Sequence, residues 1–206
     1  MSENGFTTST TSTTTTTTPT NSSFNCFIIA AITADGFIGK DSSHLSTKWT
    51  SQDDAAFYRQ KSTEAGVIIM GSNTFNTIGK ALPKRVNLVY SRQAPAGSKN
   101  LETADKLETG EIYYTALSPR EIREKLQAKG FNSLAISGGA SVYQQFMASG
   151  EVSELWLTIE PVIFGDGLRL FNSDLGQIKL ELRETIPLSP QNLVLRYQVK
   201  SQAEQA

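Results

Sequence analysis

A chain of 206 residues, 38% of them hydrophobic, has room for one sizeable domain and enough apolar side chains for its core. A net charge of −1 and a pI near 5.9 supply no polycationic surface, which argues against nucleic acid or an anionic membrane as the main partner and favours a small polar ligand. With one cysteine, Cys26, and one histidine, His44, there can be no intrachain disulfide and none of the usual zinc ligand sets, and a Ser-His triad would rest on a single loop histidine.

Residues 1–23 are Thr, Ser and Asn around a polythreonine run, too polar to bury a core, and they are expected to form a disordered tail. They lack the apolar segment of a secretory signal, and no apolar stretch approaches membrane-spanning length, so the expected location is the cytoplasm. The folded domain is expected over 24–201, with a short tail at 202–206. Residues 24–34 form a near-continuous apolar run that reads as a central strand, with Cys26 a buried structural thiol, and Asp35-Gly36 is the turn after it. The polar stretch 37–48 is long enough to be a functional loop. Thr50 or Ser51 then caps a helix running to about Thr63, with an acid three positions on. On that helix Asp54 and Tyr58, four apart, share a partly apolar face, which is an unusual place for a carboxylate.

The segment 67–92 organises the rest. A buried strand, Val67-Ile68-Ile69-Met70, stops at Gly71, and Ser72-Asn73-Thr74 is expected to cap a brief helix pointing its free N–H groups back at the turn. Leu82-Pro83 is expected to break that helix, and a second strand over 86–90 ends in Ser91-Arg92. Two strand ends and a helix start converge here as in half of a nucleotide site. A short strand over 112–115 precedes a helix signed by Ser118, Pro119, Glu121 and the terminator Gly130. Residues 134–137 form another buried strand, and Gly138-Gly139 open a helix over 140–149. A strand over 154–160 puts Trp156, Thr158 and Glu160 on one face; another is expected over 168–171; and 178–186 with 193–200 read as a hairpin. The fold class is therefore α/β, with a central mixed, mostly parallel sheet flanked by helices and a C-terminal antiparallel hairpin.

These motifs taken together resemble the dihydrofolate reductase superfamily, which includes the reductase domain of riboflavin biosynthesis. The resemblance is carried by Ile28-Ile29-Ala30-Ala31 with Asp35-Gly36-Phe37-Ile38-Gly39, by Trp49 five residues before Asp54, and by IMGSNTFNTIGKALPKRVNLVYSR. ISGGASVY and LWLTIE complete the family's order across nearly the whole folded region. It implies a single-domain dihydrofolate reductase-like fold and NADPH-dependent reduction of dihydrofolate, which needs a hydride donor, a dry pocket and one ionisable group. Asp54 is the carboxylate in the family's place, fixing the pterin and helping to relay the proton, with Thr158 bridging to it and Trp49 sheltering a water. Ile29, Tyr58, Ile78 and Arg85 join Asp54 and Thr158 at the substrate, Arg85 pairing with the α-carboxylate of the folate glutamate. Ala31, Ile38 and Gly39 match the nicotinamide side of the cofactor. Gly71, Ser72, Thr74, Ser91, Arg92, Ser137, Gly138, Gly139, Ala140, Ser141, Val142 and Tyr143 match its pyrophosphate and adenosine contacts.

Four departures lean toward the riboflavin-type branch. Ser72 stands where the family often has a base for the 2′-phosphate, the usual proline between Trp49 and Asp54 is missing, Tyr58 replaces a common phenylalanine, and Ser137 precedes the Gly-Gly. The alternatives to dihydrofolate are thus a phosphorylated ribosylamino pyrimidinone, gripped by Lys48, Lys80 or Arg85, or a non-catalytic nucleotide-binding module. The chain is expected to be a monomer or a homodimer.

Overall fold

The computed structural model describes residues 24–44 and 46–200, so the expected tails at 1–23 and 202–206 lie outside the described residues. The chain runs β1 (Asn25–Thr33), β2 (Phe37–Gly39), α1 (Gln52–Ala65), β3 (Val67–Gly71), α2 (Ser72–Ile78), β4 (Val86–Tyr90), β5 (Ile112–Thr115), α3 (Pro119–Ala128), β6 (Ser133–Ile136) and α4 (Ala140–Ala148). It closes with β7 (Glu154–Glu160), β8 (Leu168–Arg169), β9 (Leu180–Pro187) and β10 (Leu193–Val199).

Eight strands form one sheet in the order β5-β4-β3-β6-β1-β7-β10-β9. The first six are parallel to one another, β10 adds antiparallel to β7, and β9 adds antiparallel to β10, giving the mixed sheet and terminal hairpin expected from the sequence. The near-continuous apolar runs follow from burial on both faces. Cys26, Ile28 and Ala30 of β1 and Val67 and Ile69 of β3 pack with Ile122 and Leu126 of α3 and Phe146 of α4. Their neighbours Phe27, Ile29, Ile68 and Met70 face the other way, toward α1 and α2. Each fully buried aliphatic side chain contributes roughly 1.5–3 kcal/mol relative to exposure. Cys26 is 1% exposed, and burial pushes its thiol far above the ordinary value, as suits a structural rather than a reactive cysteine.

Four local expectations are corrected. Ser72-Asn73-Thr74 do not cap α2: the helix starts at Ser72, so Gly71 is its cap and offers no side chain. Gly79, with φ of 74°, ends α2 before Leu82-Pro83 is reached. The stretch 37–48 is not all loop, because β2 pairs with β8 and Ser46–Lys48 make a 3₁₀ turn. The strand expected over 168–171 is confined to Leu168–Arg169.

The β2–β8 pair depends on Gly167, whose φ is 153°; a Cβ there would overlap the carbonyl oxygen of Gly39. Asp35 ties the same junction by accepting from the backbone N–H of Phe164 and Gly165, at 3.2 and 2.7 Å. Gly167→Ala is expected to lower stability by roughly 1–3 kcal/mol and to loosen the 37–44 segment. Thermal unfolding, with amide exchange across that segment, checks this; unchanged exchange there would show that the junction tolerates a side chain.

Candidate active site

The carboxyl ends of the parallel strands open into a cleft of about 1220 Å³. Ser51 builds one wall by capping α1: its Oγ accepts the N–H of Asp54 at 3.0 Å, and Gly66 ends the helix with φ of 73°. The spacing of four then aligns Asp54, Tyr58 and Ser62 on one stripe of α1. A buried helix face is normally apolar, yet Asp54 is 8% exposed and Ser62 fully buried. Asp54 and Tyr58 line the cleft.

Burial pushes the Asp54 carboxyl above its ordinary value; the hydroxyls of Thr158 and Thr50 face it and oppose that shift, while the charge of Glu160 adds to it. The fold thus disfavours ionised Asp54. This penalty is absent below the ordinary value of 3.8, grows as pH rises, and is complete above the raised value. Asp54→Asn is therefore expected to stabilise the protein near neutrality, by about 1.4 kcal/mol for each tenfold gain in the carboxyl's proton affinity on folding, and to give no gain in acid below 3.8. Denaturant unfolding at the two pH values tests this, and equal stabilities at neutral pH would contradict it.

Further along, Arg85 is 3% exposed, donates from Nε to the carbonyl of Pro83 at 3.0 Å and reaches Ser62 Oγ with a terminal nitrogen. Asn87, fully buried in an otherwise apolar strand, fixes this turn by bonding both Leu82 backbone groups and the Arg85 carbonyl. Burial pulls the Arg85 guanidinium below the ordinary arginine value; the Tyr58 phenol opposes this, and the like charge of Arg59 adds to it. Arg59, Lys80, Arg85 and Arg92 all line the cleft, and among the described residues none forms an ion pair. Set against Asp41 and Asp54, which also line it, these four cations leave the cleft with an excess of positive charge that suits an anionic ligand.

At the far side the backbone is bare. A Cβ on Gly138 would stand 3.2 Å from the Tyr143 hydroxyl oxygen, one on Gly139 3.3 Å from Thr74 Oγ1, and one on Gly71 3.2 Å from Val142. Gly71 N donates to the Gly138 carbonyl at 2.8 Å, joining the two turns, and no side chain caps α4. Tyr143 anchors α4 by donating to the Ile29 carbonyl at 3.0 Å, and burial pushes its phenol far up. The same desolvation raises Tyr58, opposed by the facing hydroxyls of Ser137 and Ser62. The Ser137 hydroxyl is buried without a hydrogen-bond partner among the described residues.

The cleft brings together Ile29, Ala31, Ile38, Asp54, Tyr58, Ile78 and Arg85 with Gly71, Ser72, Thr74, Ser91, Arg92, Ser137, Gly138, Gly139, Ala140, Ser141, Val142 and Tyr143. Three expected residues lie outside its lining. Thr158, 2% exposed, stands behind Asp54; Trp49 packs edge-on against Phe164, 5.2 Å between ring centres; and Gly39 is one residue past Ile38 in β2. The sequence reading missed Thr50, Ser62, Arg59 and Asn87. Of these, only Asn87 carries a signal, a polar residue inside an apolar strand. His44, set aside as a loop histidine, also lines the cleft, with its Nδ1 accepting from Lys40 N at 3.2 Å. Among the described residues no cluster of His, Cys, Asp and Glu could hold a metal ion, and no helix is long and apolar enough to cross a membrane.

Comparison with known proteins agrees with this geometry. The sequence model of the family described as dihydrofolate reductase matches residues 25–166. A dihydrofolate reductase of Haemophilus influenzae is 30% identical over 140 residues, covering 68% of this chain and 74% of that protein. Among solved structures, a pyrimidine reductase-like protein of Corynebacterium diphtheriae superposes with a TM-score of 0.69 at 21% identity, over 86% of this chain and 92% of that one. Dihydrofolate reductase of Enterococcus faecalis, complexed with NADP(H), gives 0.61 at 17% identity, over 86% and 97%. At such identities the structural matches establish the fold alone.

Proposed function

Because the chain belongs to the dihydrofolate reductase family, a family of oxidoreductases, we propose that it reduces 7,8-dihydrofolate to tetrahydrofolate with NADPH. The observation that carries this reading is the polar stripe of α1, which sets Asp54, its proton affinity raised by burial, inside a cleft that also presents the buried Arg85, without an ion pair among the described residues.

The residues present fit the cofactor. Gly71, Gly138 and Gly139 keep the backbone bare where a pyrophosphate would lie, Ser91 and Arg92 offer a hydroxyl and a free cation for the adenosine end, and Ala31 and Ile38 leave a flat wall for the nicotinamide. When bound, reduced nicotinamide supplies the hydride. The chain's own part is positioning and proton handling. Asp54 receives the pterin's amino group and ring nitrogen and, with its raised proton affinity, passes a proton toward the neighbouring ring nitrogen. Thr158 and Thr50 keep its carboxyl aimed. Tyr58 and Ile78 flank the middle of the substrate, and Arg85 takes the α-carboxylate in a bidentate grip.

A second reading, reduction of a 5-amino-6-ribosylaminouracil phosphate, is favoured by two features. Arg59 lies beside Arg85, and the polar groups of Tyr58 and Ser137 stand where an aminobenzoyl ring would prefer apolar contacts. Presenting each substrate in turn to the NADPH-loaded protein separates the two. Consumption of dihydrofolate supports the first, and consumption of the pyrimidinone alone supports the second.

A further inference from the structure

A second buried carboxylate stands behind Asp54, and the proposed reaction does not use it. Glu160, at the end of β7, is 3% exposed and forms no ion pair among the described residues. Instead its Oε1 accepts from Ser51 N at 3.0 Å, Ser51 Oγ at 2.9 Å and Asn192 Nδ2 at 3.3 Å. Ser51 is the residue whose Oγ in turn holds the Asp54 N–H. Asn192, 4% exposed in the turn between β9 and β10, also donates to Ser51 Oγ, and its carbonyl accepts the backbone N–H groups of Leu188 and Ser189. Three regions distant in sequence thus converge on one acid whose negative charge is held by neutral donors.

An ordinary helix start has no need of this arrangement. Ser51 alone caps α1, and a buried carboxylate without a cation is costly to keep. A glutamine would satisfy the same geometry without that cost. What the glutamate adds is charge, set next to the one carboxyl that α1 carries into the cleft.

We propose that Glu160 is a positioning residue for Asp54: through Ser51 it fixes the start of α1, and it holds a negative charge without a cation beside the Asp54 carboxyl. The inference rests on Asp54 being the proton-handling group of the proposed reaction. The other groups facing Asp54 are Thr158 on β7, Thr50 before α1, Tyr58 on α1 and Tyr143 on α4, all neutral near neutrality, and the exposed Asp53 is its neighbour in the first turn. Arg85 is the nearby cation, and it acts on Tyr58.

The test needs no turnover. Carbon-13 carboxyl resonances of the full chain, labelled at aspartate and glutamate, are followed through a pH titration with and without NADPH. Glu160→Gln should lower the Asp54 midpoint by about one pH unit while leaving NADPH affinity unchanged. Where turnover is measurable, the fall of kcat/KM with rising pH should move down by the same amount, a loss of about tenfold on its alkaline side. Should the glutamine variant fail to fold, the wild-type titration still decides, since the arrangement requires an Asp54 midpoint above the ordinary carboxylate value. An unmoved Asp54 midpoint in Glu160→Gln, or a wild-type Asp54 midpoint at or below the ordinary carboxylate value, would overturn the proposal. Failure of the wild type to consume either candidate substrate would instead count against the proposed function.

Discussion

Asp54→Asn is expected to lower turnover by about 10²- to 10⁴-fold, the usual contribution of a positioned general acid or base, while NADPH binds as before. The two halves of this result have separate origins in the structure. Asp54 lies on α1, and the bare-backbone side of the cleft is built by β3, β6 and α4, so the substitution removes no group from the wall assigned to the cofactor. Asparagine keeps the shape and can still face Thr158 and Thr50, but it has no proton to exchange. The same variant is expected to be more stable than the wild type near neutrality, because the folded state no longer carries a carboxyl whose ionisation burial disfavours. A gain in stability coupled to a loss of turnover is the signature of a group retained for chemistry, and it separates a proton-handling Asp54 from a first-turn acid that only favours the helix dipole. Stopped-flow or steady-state turnover, with fluorescence titration of NADPH on the same preparation, gives both numbers. Turnover within a few-fold of wild type would remove Asp54 from the reaction.

Arg85→Leu is expected to raise the substrate KM by roughly 30-fold to several-thousand-fold, the range corresponding to about 2–5 kcal/mol for truncating one partner of a buried charge pair, with kcat little changed. Arg85 has no carboxylate partner among the described residues, so its charge is desolvated without repayment until an anionic ligand arrives. The effect falls on KM because, in the proposed pose, the guanidinium grips the glutamate tail in ground state and transition state alike. A dihydropterin lacking the glutamate tail supplies the control, since it should not distinguish wild type from variant. An equal loss with the truncated compound would show that Arg85 supports the wall of the cleft rather than the carboxylate. Losing kcat instead of KM would place it nearer the chemistry than the geometry allows.

The fold was legible because its strands are buried on both faces, and such strands appear in sequence as unbroken apolar runs between turn residues. β1, β3, β4 and β6 all read this way, and Gly71, Gly138 and Gly139 marked the places where the backbone of the cleft wall leaves little room for a side chain. β2 was illegible and β8 was read two residues too long, since strands of three and two residues are too short to show a period, and their junction is held by Gly167 and Asp35. At the site, the spacing of four between Asp54 and Tyr58 was visible, but its continuation to Ser62 and the contact with Arg85 were not, because that contact depends on where β4 starts relative to α1. Glu160 was placed correctly beside Thr158 on β7 by alternation alone. Its partners were beyond the sequence, for Ser51 and Asn192 are brought to it by three separate connections.

Oxidation of NADPH by the purified chain, followed by loss of the reduced-nicotinamide absorbance, decides the substrate when dihydrofolate and the phosphorylated ribosylamino pyrimidinone are offered in parallel. The expected result is oxidation that requires dihydrofolate, saturates with it, and disappears in Asp54→Asn. Untouched dihydrofolate beside steady consumption of the pyrimidinone would contradict the proposed reaction.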